Sequence, residues 1–119
     1  MKVGFTGTRQ GMSANQKKQL RKVLSAVTNI DEFHHGAAIG ADTEAVDIAE
    51  DYVDGGPTRI ISWPAAKGKE LARDRTIVAE SDILIAAPLT DKEVLRSGTW
   101  ATIRYAFKKG IPIVMLPRK

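Results

Sequence analysis

The sequence predicts an α/β fold, because segments typical of strands alternate with segments typical of helices along its whole length. Several of the strand-like segments end at a glycine or a proline, which are the residues that most often interrupt regular structure. Strands connected through helices form right-handed crossovers, and therefore a parallel sheet that carries helices on both faces. We predict a single Rossmann-like three-layer sandwich over residues 1–119, with a five-stranded, mostly parallel sheet.

The predicted strands cover residues 2–6, 32–35, 58–62, 83–87 and 111–116. The predicted helices cover residues 13–29, a segment that starts near residue 42, a segment within 64–80, and residues 99–109. Ser13 and Gln16 form a capping-box pair at the start of the first helix, and Gly110 is expected to end the last one. Residues 54–57 read as a turn cluster, and Tyr52 and Val53 are expected on the inner face of the second helix.

Composition excludes several classes of protein. The chain of 119 residues has no cysteine, which excludes disulfides, thiolate zinc sites and a cysteine nucleophile. No apolar segment approaches the roughly 20 residues that span a bilayer, and the start shows no signal peptide, so a soluble, cytoplasmic protein without membrane contact is expected. His34 and His35 are adjacent in a strand and should point to opposite faces, one of them into the core. We expect neither a metal site nor a cofactor.

The net charge is +4, and four basic residues crowd the first helix: Lys17, Lys18, Arg21 and Lys22. Such a cluster either attracts anions and nucleic acids or forms the solvated face of a helix, and the second interpretation is favoured. Few aromatic residues lie between these charges, so a stacking platform for single strands is not expected.

Ligands of open α/β sheets bind beyond the carboxyl ends of the strands, so the turns after the strands are the candidate site. After the first strand, Gly7 permits close approach to a ligand, Thr8 offers a hydroxyl, and Arg9 offers a guanidinium suited to phosphate. A plain turn with an exposed arginine is the alternative interpretation.

The turn after the second strand contains Gly36, Gly40, Ala41 and Asp42 and leads into a helix. Two glycines at a helix start predict an anion cradle of backbone amides, although the segment is neither a Walker A loop nor a complete dinucleotide fingerprint. Asp42 is expected to be the N-cap of the helix, and the alternative role is acceptance of a hydrogen bond from a sugar hydroxyl.

Two further segments complete the candidate site. Asp74 shares a helix face with Leu71 and Val78, and its carboxylate needs a partner if it is buried. Arg73 and Arg75 are expected to point away from that face, and Arg73 is the one expected to face the site. A surface ion pair is the alternative. The segment after the fourth strand supplies amides and hydroxyls near a helix start, at Pro88, Ser97, Gly98, Thr99 and Trp100.

Trp100 is expected to pack in the core with Ile103 and Phe107, and it is also the aromatic residue placed to flank a base. The polar loop from Thr90 to Arg96 is a candidate flap over the site.

In their order, these motifs resemble the SLOG superfamily, which joins the DNA-processing Smf/DprA proteins with the Lonely Guy nucleotide hydrolases, and most closely its small stand-alone bacterial and phage members. The resemblance covers nearly the whole chain and rests on Gly7-Thr8-Arg9, His35-Gly36 through Gly40-Ala41-Asp42, Arg73-Asp74 with Ile77, Ser81-Asp82, and Ser97-Gly98-Thr99-Trp100. It implies a Rossmann-like nucleotide-binding domain, and relatives suggest a homo-oligomer of two or more subunits.

The hydrolases of this superfamily carry a Pro-Gly-Gly-x-Gly-Thr-x-x-Glu motif, from which this chain departs. Pro88 is followed by Leu89, and the position of the glutamate holds Thr102, although the arginine of the hydrolases is matched by Arg73. Asp42 and Asp74 are the candidate catalytic carboxylates in its place.

The predicted function is therefore to bind a nucleotide or a nucleotide-derived ligand through its phosphate, as a sensor or a processing protein. In this interpretation the glycines and hydroxyls of the turns hold the phosphate and Arg73 neutralises it. One alternative is a hydrolase or transferase that acts on the N-glycosidic bond of nucleoside monophosphates. The other alternative is a DNA-binding protein. It is suggested by the resemblance to DNA-processing proteins, and the basic helix supports it weakly.

Overall fold

The computed structural model describes residues 1–27, 29–52 and 59–119. Its elements in chain order are β1 (Lys2–Gly7), α1 (Ala14–Ala26), β2 (Glu32–His35), α2 (Ala41–Glu50), β3 (Arg59–Ser62), α3 (Glu70–Ala79), β4 (Ile83–Ala87), α4 (Gly98–Lys109) and β5 (Ile113–Met115). The predicted turn at 54–57, the inner position predicted for Val53 and the predicted strand start at Thr58 lie outside the described residues.

The described strands form one sheet in the order β3-β2-β1-β4-β5, and every neighbouring pair is parallel. The chain builds outward from β1 to β3 and then returns to the other side of β1 with β4. The strand order thus reverses between β1 and β4, and this is the switch point at which open α/β sheets bind ligands. Pairing of Gly7 with Ala87 brings the carboxyl ends of these two strands level with each other.

Helices cover both faces of the sheet, as three layers require. Helix α1 contacts α2, and α3 contacts α4. One core cluster joins Phe5 and Phe33 of the sheet to Leu20 of α1, and a second cluster joins Leu84 of β4 to Ala106 of α4. The Rossmann-like fold class predicted from the sequence is confirmed, and the sheet is fully parallel where it is described.

The caps follow the predicted chemistry, although the element bounds differ. The Ser13 hydroxyl accepts the amide of Gln16 at 3.1 Å, and the Gln16 side chain accepts the amide of Ser13 at 3.0 Å. Helix α1 ends at Ala26, earlier than predicted, because Val27 is already extended and Asn29 has a φ of +63°. Gly110 ends α4 in the left-handed conformation, as predicted.

The structure corrects three burial predictions. Phe107 is 80% exposed rather than packed in the core, because the inner face of α4 is formed by Ile103 and Ala106. His34 and His35 are both buried, since helices and loops cover both faces of β2. Tyr52 is exposed. None of the described helices is both long enough and apolar enough to cross a membrane.

Candidate functional site

A cavity of about 480 Å³ opens at the carboxyl edge of the sheet, beside the switch point between β1 and β4. Its volume lies within the range of roughly 300–1,000 Å³ that is typical of small-molecule pockets. The predicted site residues on its wall are Gly7, Thr8, Arg9, Asp42, Arg73, Asp74, Ser97, Gly98 and Thr99. The predicted residues that do not line it are Gly36, Gly40, Ala41, Pro88 and Trp100.

Four amides of the turn after β2 and of the start of α2 do not take part in an anion cradle, because they already donate to acceptors of the protein. The amides of Gly36 and Ala38 donate to Oδ2 of Asp42 at 2.9 and 3.4 Å, and that of Ala37 donates to Nδ1 of His35 at 3.0 Å. At the start of α2, the amide of Ala41 donates to the carbonyl oxygen of Thr8 at 3.0 Å. These amides are therefore not free to bind a phosphate.

Gly36 makes room for Arg73 instead. A Cβ atom at position 36 would lie 2.5 Å from Nη1 of Arg73. The guanidinium donates from Nη1 to the carbonyl oxygens of Gly36 and Trp63, and from Nε to Oδ1 of Asp74 at 2.7 Å. Arg73 is only 11% exposed, so it is a buried cation that ties α3 to the end of β2.

Gly40 makes room for Arg9 in a similar way. Its φ is +84°, and a Cβ atom there would overlap the carbonyl oxygen of Arg9. The Arg9 side chain itself is 66% exposed, with Nη2 3.9 Å from Oε1 of Glu70. Gly7 is packed in the same manner, because a Cβ atom at that position would lie 2.5 Å from Cβ of Ala41. Ala41 is thus a core residue that supports the turn after β1.

A Gly40→Ala substitution is expected to lower the free energy of unfolding by more than the roughly 1–2 kcal/mol that a left-handed conformation costs an L-residue, because it adds a clash with Arg9. Urea denaturation measures the change. Gly110→Ala is the matched control, since Gly110 has a φ of +79° and open space around it. Equal losses for the two variants would contradict the packing role of Gly40.

Asp42 is not the N-cap of α2, contrary to prediction. Gly40 occupies that position without a side-chain hydrogen bond, and Asp42 lies one residue inside the helix. Its carboxyl turns back to the loop and accepts the amides of Gly36 and Ala38 through one oxygen. Burial raises the pKa of Asp42 to about 6, although these amides and Arg73 favour the charged form.

Asp74 uses both of its oxygens within the protein. Oδ1 accepts Nε of Arg73, and Oδ2 lies 3.1 Å from the Thr102 hydroxyl, whose single proton is shared with the carbonyl oxygen of Gly98 at 2.9 Å. The expectation that Arg73 points away from Asp74 is therefore wrong, because the guanidinium folds back along α3. Burial raises the pKa of Asp74 as well. Thr102 holds the position at which the resemblance places a glutamate. The carboxyl of Asp74, on α3, lies beside the Thr102 side chain on α4.

The first turn of α4 also lines the cavity. The Ser97 hydroxyl caps the helix by accepting the amide of Trp100 at 3.2 Å. Gly98 and Thr99 lie in the first turn, where amides have no intrahelical acceptor and the helix dipole favours an anion. Thr90 and Val94, from the loop predicted to be a flap, also line the cavity, and its closure over the site stays a prediction.

Trp100 and Pro88 have structural positions away from the cavity. The indole Nε1 of Trp100 is fully buried, with no hydrogen-bond partner among the described residues. The carbonyl oxygen of buried Pro88 accepts the Gln16 side chain at 2.8 Å, which fixes the end of β4 to α1. Neither residue is placed to contact a ligand in the cavity.

The predicted site residues left out several polar wall residues, which are Thr6, Gln10, Glu70 and Thr90. Glu70 precedes Arg73 and Asp74 by three and four residues, the spacing of one helix face, and this spacing was the available signal. Oε1 of Gln10 accepts a hydrogen bond from the Thr8 hydroxyl at 2.5 Å. No pattern in the sequence predicts this contact within the turn.

Comparison with known proteins shows the fold. No protein-family model matches the chain, and no curated protein matches it. DNA processing protein A from Helicobacter pylori, reported for its mode of single-stranded DNA binding, has a TM-score of 0.71 at 23% identity, over 100% of this chain and 66% of that one. DNA processing protein A from Streptococcus pneumoniae has a TM-score of 0.71 at 22% identity, over 96% of this chain and 49% of that one.

The molybdenum cofactor carrier protein from Chlamydomonas reinhardtii has a TM-score of 0.65 at 22% identity, over 96% of this chain and 75% of that one. The chain spans just under two thirds of the length of the first DNA processing protein and about half of the length of the second. The likenesses support a Rossmann-like fold of the type found in DNA processing protein A.

Proposed function

We propose that the protein binds a nucleotide through its phosphate in the cavity at the switch point. The observation that carries this proposal is the position of the cavity at the switch point between β1 and β4, where Arg9 and the start of α4 both line it. First-turn amides and an arginine fork are the groups that most often hold phosphate oxygens. Thr8 and Thr99 also line the cavity and carry hydroxyls.

Arg9 supplies the accessible positive charge, since its side chain is 66% exposed. Its neighbour Glu70 is 3.9 Å away and 37% exposed, which makes a weak ion pair that an incoming phosphate can replace. In this proposal Arg73 is the less available cation, because it is already bonded to Asp74 and to two carbonyl oxygens. It shapes the cavity wall, while Arg9 meets the ligand.

An Arg9→Ala substitution is expected to weaken the binding of nucleoside monophosphates roughly tenfold or more, because it removes a charge-assisted contact to the phosphate. Isothermal titration calorimetry with the common nucleoside monophosphates measures the change. Arg75→Ala is the control, since Arg75 is exposed on α3 and lies over the ring of Tyr105. Absence of binding by the unsubstituted protein at millimolar nucleotide would overturn the proposal.

Single-stranded DNA is the second candidate ligand, favoured by the likeness in fold to a DNA processing protein reported to bind it. Lys18, Arg21 and Lys22 are exposed on α1 and supply a positively charged surface. Binding through phosphates must weaken steeply as salt rises. Fluorescence anisotropy with a labelled oligothymidylate at increasing salt tests this candidate, and no binding at the lowest salt would remove it.

A further inference from the structure

The two buried carboxyls of the cavity differ in what they leave available to a ligand. Both oxygens of Asp74 have a polar partner in the protein: Oδ1 accepts Nε of Arg73, and Oδ2 lies within hydrogen-bond distance of the Thr102 hydroxyl, which Gly98 shares. Asp42 uses only Oδ2, which accepts the amides of Gly36 and Ala38, and Oδ1 has no hydrogen-bond donor among residues 1–27, 29–52 and 59–119. Asp42 is the carboxyl with a free oxygen at the cavity.

We infer that the free oxygen of Asp42 accepts a hydrogen bond from the ribose of the ligand, so that the cavity prefers ribonucleotides to 2′-deoxyribonucleotides. This inference rests on the proposed nucleotide binding. Asp42 is 5% exposed and lines the cavity, and Oδ1 is not among the fully enclosed polar atoms of the described chain, so a ligand can reach it. An accessible carboxylate oxygen without a donor from the protein can accept a hydrogen bond from a ligand.

A hydroxyl is the ligand group that fits this oxygen. A carboxylate repels phosphate, so the phosphate belongs at Arg9 and the first turn of α4, and the sugar is the part of a nucleotide directly attached to it. A metal ion is a poorer match, because the described residues contain no group of three His, Asp or Glu side chains that could hold one. A carboxylate that accepts ribose hydroxyls is a common solution in nucleotide sites.

The charge around Asp42 supports its role as an acceptor at neutral pH. The charged neighbours that act on it are Arg73, which favours its ionised form, and Asp74, which disfavours it. Burial raises the pKa of Asp42 only to about 6, so the carboxyl is mostly ionised above that pH. An ionised carboxylate accepts hydrogen bonds and donates none.

The test is calorimetric titration of adenosine 5′-monophosphate against its 2′-deoxy analogue at pH 7.5, repeated for the other bases. The deoxy form is expected to bind roughly tenfold more weakly, the usual effect of losing a hydrogen bond to a charged group. In Asp42→Asn the ribonucleotide should fall to the affinity of the deoxynucleotide, whose own affinity stays within about twofold. The asparagine amide would present a donor in place of the free acceptor.

Thr102→Val is the matched control, because it removes the contact to Asp74 and leaves the contacts of Asp42 in place. Its preference for ribonucleotides should remain. Equal affinities of the two sugars for the unsubstituted protein, or an equal loss for both in Asp42→Asn, would overturn the inference while leaving nucleotide binding intact. Failure of both nucleotides to bind would overturn the proposed function and this inference with it.

Discussion

Replacing Arg73 with methionine is expected to lower the free energy of unfolding by about 3–5 kcal/mol, the cost of breaking a buried ion pair by removing one partner. Methionine fills the space of the side chain stem but leaves Asp74 buried without its cation. The carbonyl oxygens of Gly36 and Trp63 lose their donor as well. Urea denaturation at pH 7.5 measures the loss.

Arg75→Met is the matched control on the same helix. Arg75 is exposed and lies 5.2 Å from the ring centre of Tyr105, so its loss should cost about 1 kcal/mol or less. A second variant, Arg73→Met with Asp74→Asn, should recover part of the loss because it removes the unpaired charge. If Arg73→Met costs no more than Arg75→Met, the buried guanidinium does not stabilise the cavity wall.

Replacing Asp42 with asparagine is expected to raise the free energy of unfolding at pH 8 by roughly 1–3 kcal/mol. Both loop amides reach the same carboxyl oxygen, so the amide oxygen of an asparagine can accept them without rearrangement. The substitution removes the buried charge and places an amide nitrogen where Oδ1 faces the cavity. A residue that is kept for function at a cost in stability should stabilise the fold when it is replaced.

The gain should depend on pH in a defined direction. The folded-state pKa of Asp42 is about 6, above the ordinary value of 3.8. Protonation therefore stabilises the folded state fully below about pH 3.8, and this contribution is lost as the pH rises through 6. The difference between Asp42→Asn and the unsubstituted protein should be small near pH 4 and largest above pH 7. A variant that is less stable by the same amount at both pH values would contradict the account.

The fold was predictable because its determinants are local. Alternating strand and helix patterns, the Ser13 capping box and the glycine that ends α4 each act within a few residues, and the sheet follows from the crossover rule. The position of the cavity followed as well, since the switch point depends only on strand order. Exact bounds were less predictable, as at Asn29, whose left-handed backbone shortens α1.

The roles of individual site residues were harder to predict because they depend on contacts between distant segments. Sequence shows that positions 36 and 40 are glycines, but not that Arg73 and Arg9 occupy the space of their missing side chains. Likewise, the spacing of Asp42 suits a helix cap, and only the folded loop shows that it accepts amides from residues before the helix.

Mapping the nucleotide site by NMR tests the central claim most directly. A chain of 119 residues gives a resolvable amide spectrum, in which adenosine 5′-monophosphate can be titrated into labelled protein. We predict that the largest saturable shifts occur at Gly7, Arg9, Gly98 and Thr99, around the cavity. No shifts at millimolar nucleotide, or shifts confined to the exposed face of α1, would contradict a phosphate site at the switch point.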